Sequence, residues 1–387
     1  MSRLDKLIQE LCPDGVKYLT ISELFNTRNG YTPSKSRKDY WENGEVPWFR
    51  MEDIREKGRV LSTATQYVSK DAVKGSPFPS NSIIIATSAT IGEHALITVP
   101  SLANQRFTYL MLKLEYKHLV DIKFLYYYCF KLDKYCKSCL NQGNFSSVDM
   151  KKFSNFKFPV PPMPVQREIV RILDNFTELT AELTAELTAR KKQYEYYREQ
   201  MLTFGDDVPM VALADIADIG TGSSNTNEGL ERGLYPFFVR SQEPLRKNKY
   251  EFDETAIITA GDGVGVGKVY HFVQGKYALH QRAYRIHITS PDVLPKYYFH
   301  YMRSAFLSYI SKTMFQGSVA SIRRPMLNTF PVPVPSLTEQ KRIVAILDRF
   351  DTLCNDISAG LPAEIAARQK QYEYYRDKLL TFKEATV

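Results

Sequence analysis

Leu179-Thr-Ala-Glu-Leu-Thr-Ala-Glu-Leu-Thr-Ala189 writes the unit Thr-Ala-Glu-Leu twice and begins it a third time. Four residues are slightly more than one α-helical turn. One added unit therefore lengthens a helix by about 6 Å and rotates it by about 40°. The flanking sequence supplies a helix for the repeat to sit in. Apolar or aromatic residues fall at Ile169, Ile172, Phe176, Leu179, Leu183, Leu187, Tyr194, Tyr197 and Met201, with an extra four-residue step at Leu183–Leu187 and Arg190 within the stripe. This spacing predicts a coiled-coil-like seam with one stutter. The repeat reads as a unit of helix length rather than as low-complexity filler.

The predicted helix ends in Ala189-Arg-Lys-Lys-Gln-Tyr-Glu-Tyr-Tyr-Arg198, which returns as Ala367-Arg-Gln-Lys-Gln-Tyr-Glu-Tyr-Tyr-Arg376 with one change. Upstream, Ile169-Val-Arg-Ile-Leu-Asp-Asn-Phe176 matches Ile343-Val-Ala-Ile-Leu-Asp-Arg-Phe350. Proline-rich runs lead into both, from Phe158 and from Phe330. The second stripe reads Ile343, Ile346, Phe350, Leu353, Ile357, Leu361, Ile365, Tyr372, Tyr375 and Leu379. Ser336 and Glu339 have capping-box spacing, and Gly360-Leu-Pro362 predicts a break near the middle, because proline removes a backbone donor. Fainter matches pair Asp14–Gly30 with Asp206–Gly222, Asn104-Gln105-Arg106 with His280-Gln281-Arg282, and Gln142-Gly143 with Gln316-Gly317. An internal duplication of this kind points to an α/β (α+β) fold with pseudo-two-fold repetition. Its four segments are a divergent region (1–157), a matched helix (158–205), a second divergent region (206–329) and a second matched helix (330–387). Each helix spans roughly 40 residues, on the order of 60 Å. An antiparallel pair would let each narrow seam bury the other.

With 44% hydrophobic and 24% charged residues in 387, the chain has the composition of a globular protein large enough for two or three domains. No apolar run reaches the roughly 18–20 residues of a membrane span, and the charged N-terminus has no secretory pattern, so the expected location is cytoplasmic. The net charge of +8 suits a polyanionic partner without requiring one. Five cysteines are too few and too scattered for a disulfide framework. Cys136 and Cys139 have metal-ligand spacing, but Ile310 and Thr313 occupy the duplicated places, so ordinary thiols are expected and no metal site.

The divergent regions contain buried-strand patterns (Ser82–Thr87, Ala256–Ala260), amphipathic helices (from Lys123 and from Lys296) and polar loops between them. Gly261-Asp-Gly-Val-Gly-Val-Gly-Lys268 tempts a nucleotide reading. It fails as a phosphate loop because Asp262 and Val269 stand where glycine and a hydroxyl are needed. A strand–turn–strand connection is expected there and at Thr87–Gly92. Neither a zinc-hydrolase HExxH nor the Asp/Asn-Pro-Pro-aromatic motif of amino-methyltransferases occurs, and no catalytic residue is assigned.

Two divergent regions alternating with two near-identical helices, carrying paired IVxILDxF and ARxKQYEYYR motifs and the Thr-Ala-Glu-Leu repeat, resemble the specificity (S) subunit of type I restriction–modification systems. Thr32-Pro33-Ser34 and Val46-Pro47-Trp48 are similar to features of that family's target recognition domains. The resemblance covers essentially the whole chain. It implies a non-catalytic subunit that reads a bipartite double-stranded DNA target, one half-site per recognition domain. It also implies docking of two methyltransferase (M) subunits that use S-adenosylmethionine, joined by restriction (R) subunits that use ATP and Mg²⁺.

On that reading the candidate DNA contacts are polar and basic loop residues. In the first half they are Tyr31, Thr32, Ser34, Lys35, Arg37, Lys38, Arg50, Thr87, Ser88, Thr90, Asn104, Gln105, Arg106, Gln142 and Asn144. In the second they are Thr221, Ser223, Ser224, Asn225, Arg240, Gln242, His280, Gln281, Arg282, Gln316, Ser318, Arg323 and Arg324, of which Arg323 and Arg324 suit phosphate better than bases. For each, the alternative is an ordinary structural hydrogen bond. The outward helix residues Arg190, Lys191, Glu195, Arg198, Arg368, Glu373 and Arg376 are candidates for partner docking, while Tyr194, Tyr197, Tyr372 and Tyr375 read as a packed stripe. The rival readings are a self-sufficient DNA enzyme, a DNA-binding protein without enzyme partners, and a protein scaffold.

Overall fold

The computed structural model describes residues 2–141, 146–313 and 321–385, and the chain divides into two compact units. Unit 1 comprises Met1–Ala181 and Ala367–Val387, and unit 2 comprises Glu182–Ala366. The units thus cut across the four sequence segments. Each takes one divergent region, the start of the helix that follows it, and the end of the other copy's helix.

The strands of unit 1 are β1 (Lys17–Thr20), β2 (Phe25–Asn29), β3 (Val46–Phe49), β4 (Val60–Leu61), β5 (Tyr67–Val68), β6 (Ser82–Ala86), β7 (His94–Ile97), β8 (Leu102–Ala103), β9 (Phe107–Leu112) and β10 (Lys157–Val160). They form a five-stranded sheet in the order β2–β9–β6–β7–β4, a three-stranded sheet β5–β3–β8, and the pair β1–β10. The central strand β6 is buried throughout, as the unbroken Ser-Ile-Ile-Ile-Ala run predicts for a strand covered on both faces. Ile83 and Ile85 enter one apolar core, whereas Ile84 and Ala86 enter another on the opposite face. Helices α1 (Arg3–Leu11), α2 (Ile21–Leu24), α3 (Met51–Lys57), α4 (Ile122–Ser138) and α5 (Met150–Ser154) complete this region, with α4 supplying Phe124, Leu125, Tyr127, Tyr128 and Leu132 to the first core.

The long helix α6 (Met163–Met201) begins in unit 1 and ends in unit 2. Unit 2 then adds β11 (Met210–Ala212), β12 (Ala217–Thr221), β13 (Tyr235–Phe238), β14 (Leu245–Lys247), β15 (Phe252–Ala260), β16 (Tyr270–Leu279), β17 (Ala283–Ile288) and β18 (Pro331–Pro333), with helices α7 (Leu213–Ile216), α8 (Pro295–Thr313) and α9 (Arg324–Asn328). The sheet order β12–β17–β15–β16–β13–β14 restates unit 1 without a counterpart of β4 and with its two sheets joined. The ten-residue β16 pairs with β15 and, through its end, with β13, so a single strand does the work of β7 and β8. Both glycine-containing stretches are strand–turn–strand connections, as expected.

The second matched helix is two helices, α10 (Leu337–Asn355) and α11 (Leu361–Leu379). The predicted break falls at Gly360, which is buried and whose missing side chain would land on the Thr352 carbonyl oxygen. Only half of the expected capping box forms. The Ser336 hydroxyl accepts from the Glu339 N–H at 3.3 Å, but the Glu339 carboxylate is engaged by Arg342.

The helix starts are anchored by two residues the motifs share. Gln166 donates to the carbonyls of Pro161 and Leu119 and accepts from the Asp121 N–H. Gln340 does the same with Pro335, Asp292 and Leu294. Asp174 of one ILD motif accepts from Lys123 and Tyr127 of α4, and Asp348 of the other pairs with Lys296 and His300 of α8. The tyrosines then cross over. In unit 1, Phe176 lies against Tyr372 and Tyr375 at 6.5 and 5.6 Å. In unit 2, Phe350 lies against Tyr194 and Tyr197 at 5.9 and 5.8 Å. The start of each copy meets the end of the other, as the antiparallel reading expects.

The predicted seam is uneven. Leu173, off the stripe, is fully buried, and Val165, Ile169 and Val170 join it, because a helix packed on a globular core buries a wider face than a coiled-coil seam. Leu179 is exposed and Leu183 and Leu187 are half-buried. Within the repeat, the Thr180 and Thr188 hydroxyls donate to carbonyls four residues back in the same helix.

Candidate nucleic-acid interface

In unit 1, three loops meet beside the ends of β2, β3 and β8. The chain leaves β2 through Gly30, whose Cβ would fall on the Ala103 carbonyl oxygen, so only glycine lets this loop lie against β8. Trp48 Nε1 donates to the Tyr31 carbonyl and Trp41 Nε1 to the Ser34 carbonyl, both at 3.0 Å, and the two indoles meet edge to face. A groove lined by Lys35, Lys38, Trp41, Trp48, Arg50 and Gln66 continues past Asn104 and Arg106. The Asn104–Arg106 turn is closed by the Asn104 side chain, which accepts the Arg106 N–H at 3.0 Å, while the Thr32 hydroxyl donates to Gln105. Arg106, Lys35 and Lys38 are exposed.

Unit 2 builds the same place from other residues. Gly222 lies against the Leu279 carbonyl, as Gly30 lies against Ala103. The His280 N–H donates to the Phe238 carbonyl at 2.9 Å, matching Asn104 on Phe49. His280 Nδ1 accepts the Arg282 N–H at 2.9 Å, and Gln281 donates to Asn225. Burial pushes the His280 pKa down, and the nearby Arg240 charge adds to the effect, so the imidazole stays neutral with Nδ1 free to accept. Glu251 organises the Thr221–Asn225 loop by accepting from the Ser223 N–H and the Ser224 hydroxyl. Arg240 and Arg282 both reach Asp262. The two guanidiniums hold its carboxyl below the usual range, although burial acts to raise it. The Ile322 N–H donates to the Gly261 carbonyl, which sets exposed Arg323 and Arg324 near the same turn.

The candidates therefore separate. Thr32, Ser34, Lys35, Lys38, Arg50, Asn104, Gln105 and Arg106 converge in unit 1, with half-buried Ser88 and Thr90 on the adjoining β6–β7 turn. Exposed Thr221, Ser223, Asn225, Gln281 and Arg282 converge in unit 2, and exposed Gln242 lies in the β13–β14 connection. Thr87, Ser224 and His280 are buried. Thr87 bonds Thr108 at 3.0 Å, and these three serve the frame rather than the surface. Arg37 is exposed but spends one edge of its guanidinium, Nε and Nη2, on Asp39. Gln142, Asn144, Gln316 and Ser318 lie outside the described residues.

Among the docking candidates, Lys191, Glu195 and Glu373 are exposed, while Arg190 and Arg368 contact Gln193 and Gln371 of their own helices. Arg376 is not outward: it is 8% exposed and stacks over Phe130 at 4.1 Å and Tyr372 at 5.4 Å. Arg198 repeats the second contact over Tyr194 at 5.5 Å. Tyr196 (60%) and Tyr374 (63%), at matched positions that the apolar stripe passed over, are the most exposed tyrosines of the two motifs. Tyr197 (37%) and Tyr375 (42%), read as packed, are also exposed although each has one face against a phenylalanine. Sequence reasoning also passed over Trp41, Glu251 and Asp262. For Asp262 the one signal was an acidic residue inside a glycine-rich turn.

The family described as the type I restriction modification DNA specificity domain matches residues 13–190 and 205–367. The chain is 42% identical over 380 residues to the type I restriction enzyme EcoprrI specificity subunit of Escherichia coli, covering 92% of each chain. It is 38% identical over 293 residues to the EcoR124I/EcoR124II specificity subunit of the same organism, covering 67% of this chain and 71% of that one. In fold it is similar to the S subunit of a type I restriction–modification system from M. genitalium, with a TM-score of 0.55, 14% identity and coverage of 94% and 95%.

Proposed function

Because the chain belongs to the type I restriction–modification DNA specificity family, we propose that it reads a split duplex sequence, one half-site with each unit. The observation that carries this reading is the duplicated turn. Asn104–Arg106 and His280–Arg282 share backbone hydrogen bonds and an exposed Gln-Arg pair, yet set that pair beside loops of different sequence, Thr32–Lys38 in one unit and Thr221–Asn225 in the other. A common frame with divergent polar surfaces suits base-edge readout. Lys35, Lys38, Arg106, Arg323 and Arg324 add the sequence-independent attraction to phosphate.

Two methyltransferase subunits dock on the matched helices, with Tyr196 and Tyr374 as repeated aromatic anchors beside Lys191, Glu195 and Glu373. Methyl transfer from S-adenosylmethionine resides in those partners, and ATP- and Mg²⁺-dependent steps reside in restriction subunits. A methylation map of host DNA with and without this gene tests the assignment. Loss of one split, adenine-methylated motif is the expected result, and an unchanged map would sink it.

The Thr-Ala-Glu-Leu unit sets the gap between the half-sites. The Thr180 and Thr188 hydroxyls are satisfied within their own helix, so a threonine added in the same register needs no outside partner. One inserted unit adds about 6 Å to α6, against about 3.4 Å per DNA base pair. The expected outcome is a gap widened by about one base pair with both half-sites unchanged. Altered half-sites, or the same gap, would refute the role.

A further inference from the structure

We propose that Asp262 is a positioning residue that aims Arg282 at a guanine edge in the half-site read by unit 2. This rests on the DNA-recognition reading above. Asp262 sits in the turn between β15 and β16 with its side chain only 16% exposed, and it divides its carboxylate between two arginines. Oδ1 accepts from Arg240 Nη1 at 2.7 Å, and Oδ2 accepts from Arg282 Nη1 at 3.0 Å. Arg282 remains 64% exposed. One terminal nitrogen is held, and the exposure of the side chain leaves the remaining donors of the planar guanidinium open to a ligand.

Reading guanine O6 and N7 demands that planar, two-donor geometry. A free arginine on a loop would have to surrender rotamer freedom to reach it. The carboxylate also reduces the charge of the pair of arginines from +2 to +1, which makes the cluster a poorer grip for phosphate and leaves base edges as its better target. The mounting is rigid. The Gly261 N–H donates to the Arg282 carbonyl, the Arg282 N–H donates to His280 Nδ1, and Asp262 bridges to Ser321.

Unit 1 shows that the fold itself does not require the carboxylate. Ala86 pairs with Phe107 as Ala260 pairs with Ala283. Two residues on, Ser88 bridges to Ser147 as Asp262 bridges to Ser321. The next residue in each turn is left-handed, Ala89 at φ 64° and Gly263 at φ 78°. Serine thus occupies the position of Asp262 in an equivalent turn, and Arg106 has no acidic partner among the described residues. The acid belongs to what unit 2 does, not to how the turn folds.

The test uses the full chain assembled with its methyltransferase partners, and duplexes in which each base pair of the target is replaced in turn. Asp262→Asn and Asp262→Ser should each lose about ten- to hundredfold discrimination at one position of the unit 2 half-site. Arg282→Lys, which keeps the charge but not the fork, should lose it at the same position. Discrimination in the other half-site should be unchanged, and Asp262→Asn combined with Arg282→Lys should lose no more than Arg282→Lys alone. Asp262→Ser guards against misfolding, because unit 1 already accommodates serine there. Full discrimination at every position, or affinity lowered evenly across all sequences, would reduce Asp262 to a structural ion pair. A wild-type complex that distinguishes no duplex would instead overturn the recognition reading.

Discussion

At three places the two units solve the same structural problem with different side chains. The arginine N–H that closes the recognition turn is accepted by an amide oxygen at Asn104 and by an imidazole nitrogen at His280. The aspartate of the ILD motif is met by the Tyr127 hydroxyl in one unit and by His300 Nε2 in the other. Ser88 stands where Asp262 stands. What stays fixed is the backbone register, the two close-approach glycines and the two buried glutamines. Close backbone approach admits no substitute, whereas a buried side chain that supplies one hydrogen bond to the frame can be replaced by another of different chemistry.

The comparison can be broken first at the glycines. Gly222→Ala puts a Cβ on the Leu279 carbonyl oxygen, and Gly30→Ala puts one on the Ala103 carbonyl oxygen. Each should cost about 3 kcal/mol or more, because the loop must move away from the strand. Chemical denaturation of the two variants should show similar losses. A neutral result at either glycine would mean that the loop does not need to touch the strand.

The next effect concerns the glutamines. Gln166→Ala and Gln340→Ala each strand two carbonyls and one N–H in a buried site. Each should lose about 2–3 kcal/mol of stability. Equal losses would support the duplication at the level of energy, whereas a loss confined to one unit would break it.

The smallest effect concerns the turn acceptors, Asn104 and His280, and is read by pH. Burial depresses the pKa of His280, and it depresses that of His300 despite the neighbouring Asp348. The unfolded chain, with imidazoles near 6.5, then takes up protons first as the pH falls. The stability these groups support is complete above about pH 6.5 and is lost as the pH drops toward the lowered folded values. His94 in unit 1, depressed mainly by burial, carries the same sign. His280→Asn keeps an acceptor, as Asn104 does, and should be near neutral at pH 7 but relatively stabilising at pH 5. Equal losses in wild type and variant between those pH values would remove the Nδ1 role.

Much of this was legible in the sequence because repetition was. The matched motifs located α6, α10 and α11, the proline placed the break, and the Asn-Gln-Arg and His-Gln-Arg pairing marked a turn that both units close with the same backbone hydrogen bonds. The matched Gln166 and Gln340 stand three residues before the Ile-Val-x-Ile-Leu-Asp motifs, between them and the proline runs, and as polar residues they carried no burial signal. Asp262 was hidden for a different reason. Its partners lie 22 residues before it and 20 after it, and only the register of β15, β16 and β17 brings them together. Arg376 misled because helical periodicity gives the face a residue lies on, not whether its stem folds back over an aromatic ring.

The exchange of helix ends has a consequence for how such a chain could arise. Unit 1 is completed by Ala367–Val387, whose tail hydrogen-bonds Val16 and Tyr18. Yet residues 189–198 differ from 367–376 at a single position. A chain ending after the first long helix would carry at its own terminus a near copy of the piece it lacks, and two such chains could complete each other by domain swapping. The present chain carries both halves in one polypeptide. Two halves encoded in one polypeptide can mutate separately, so the matched frames are free to carry different surfaces.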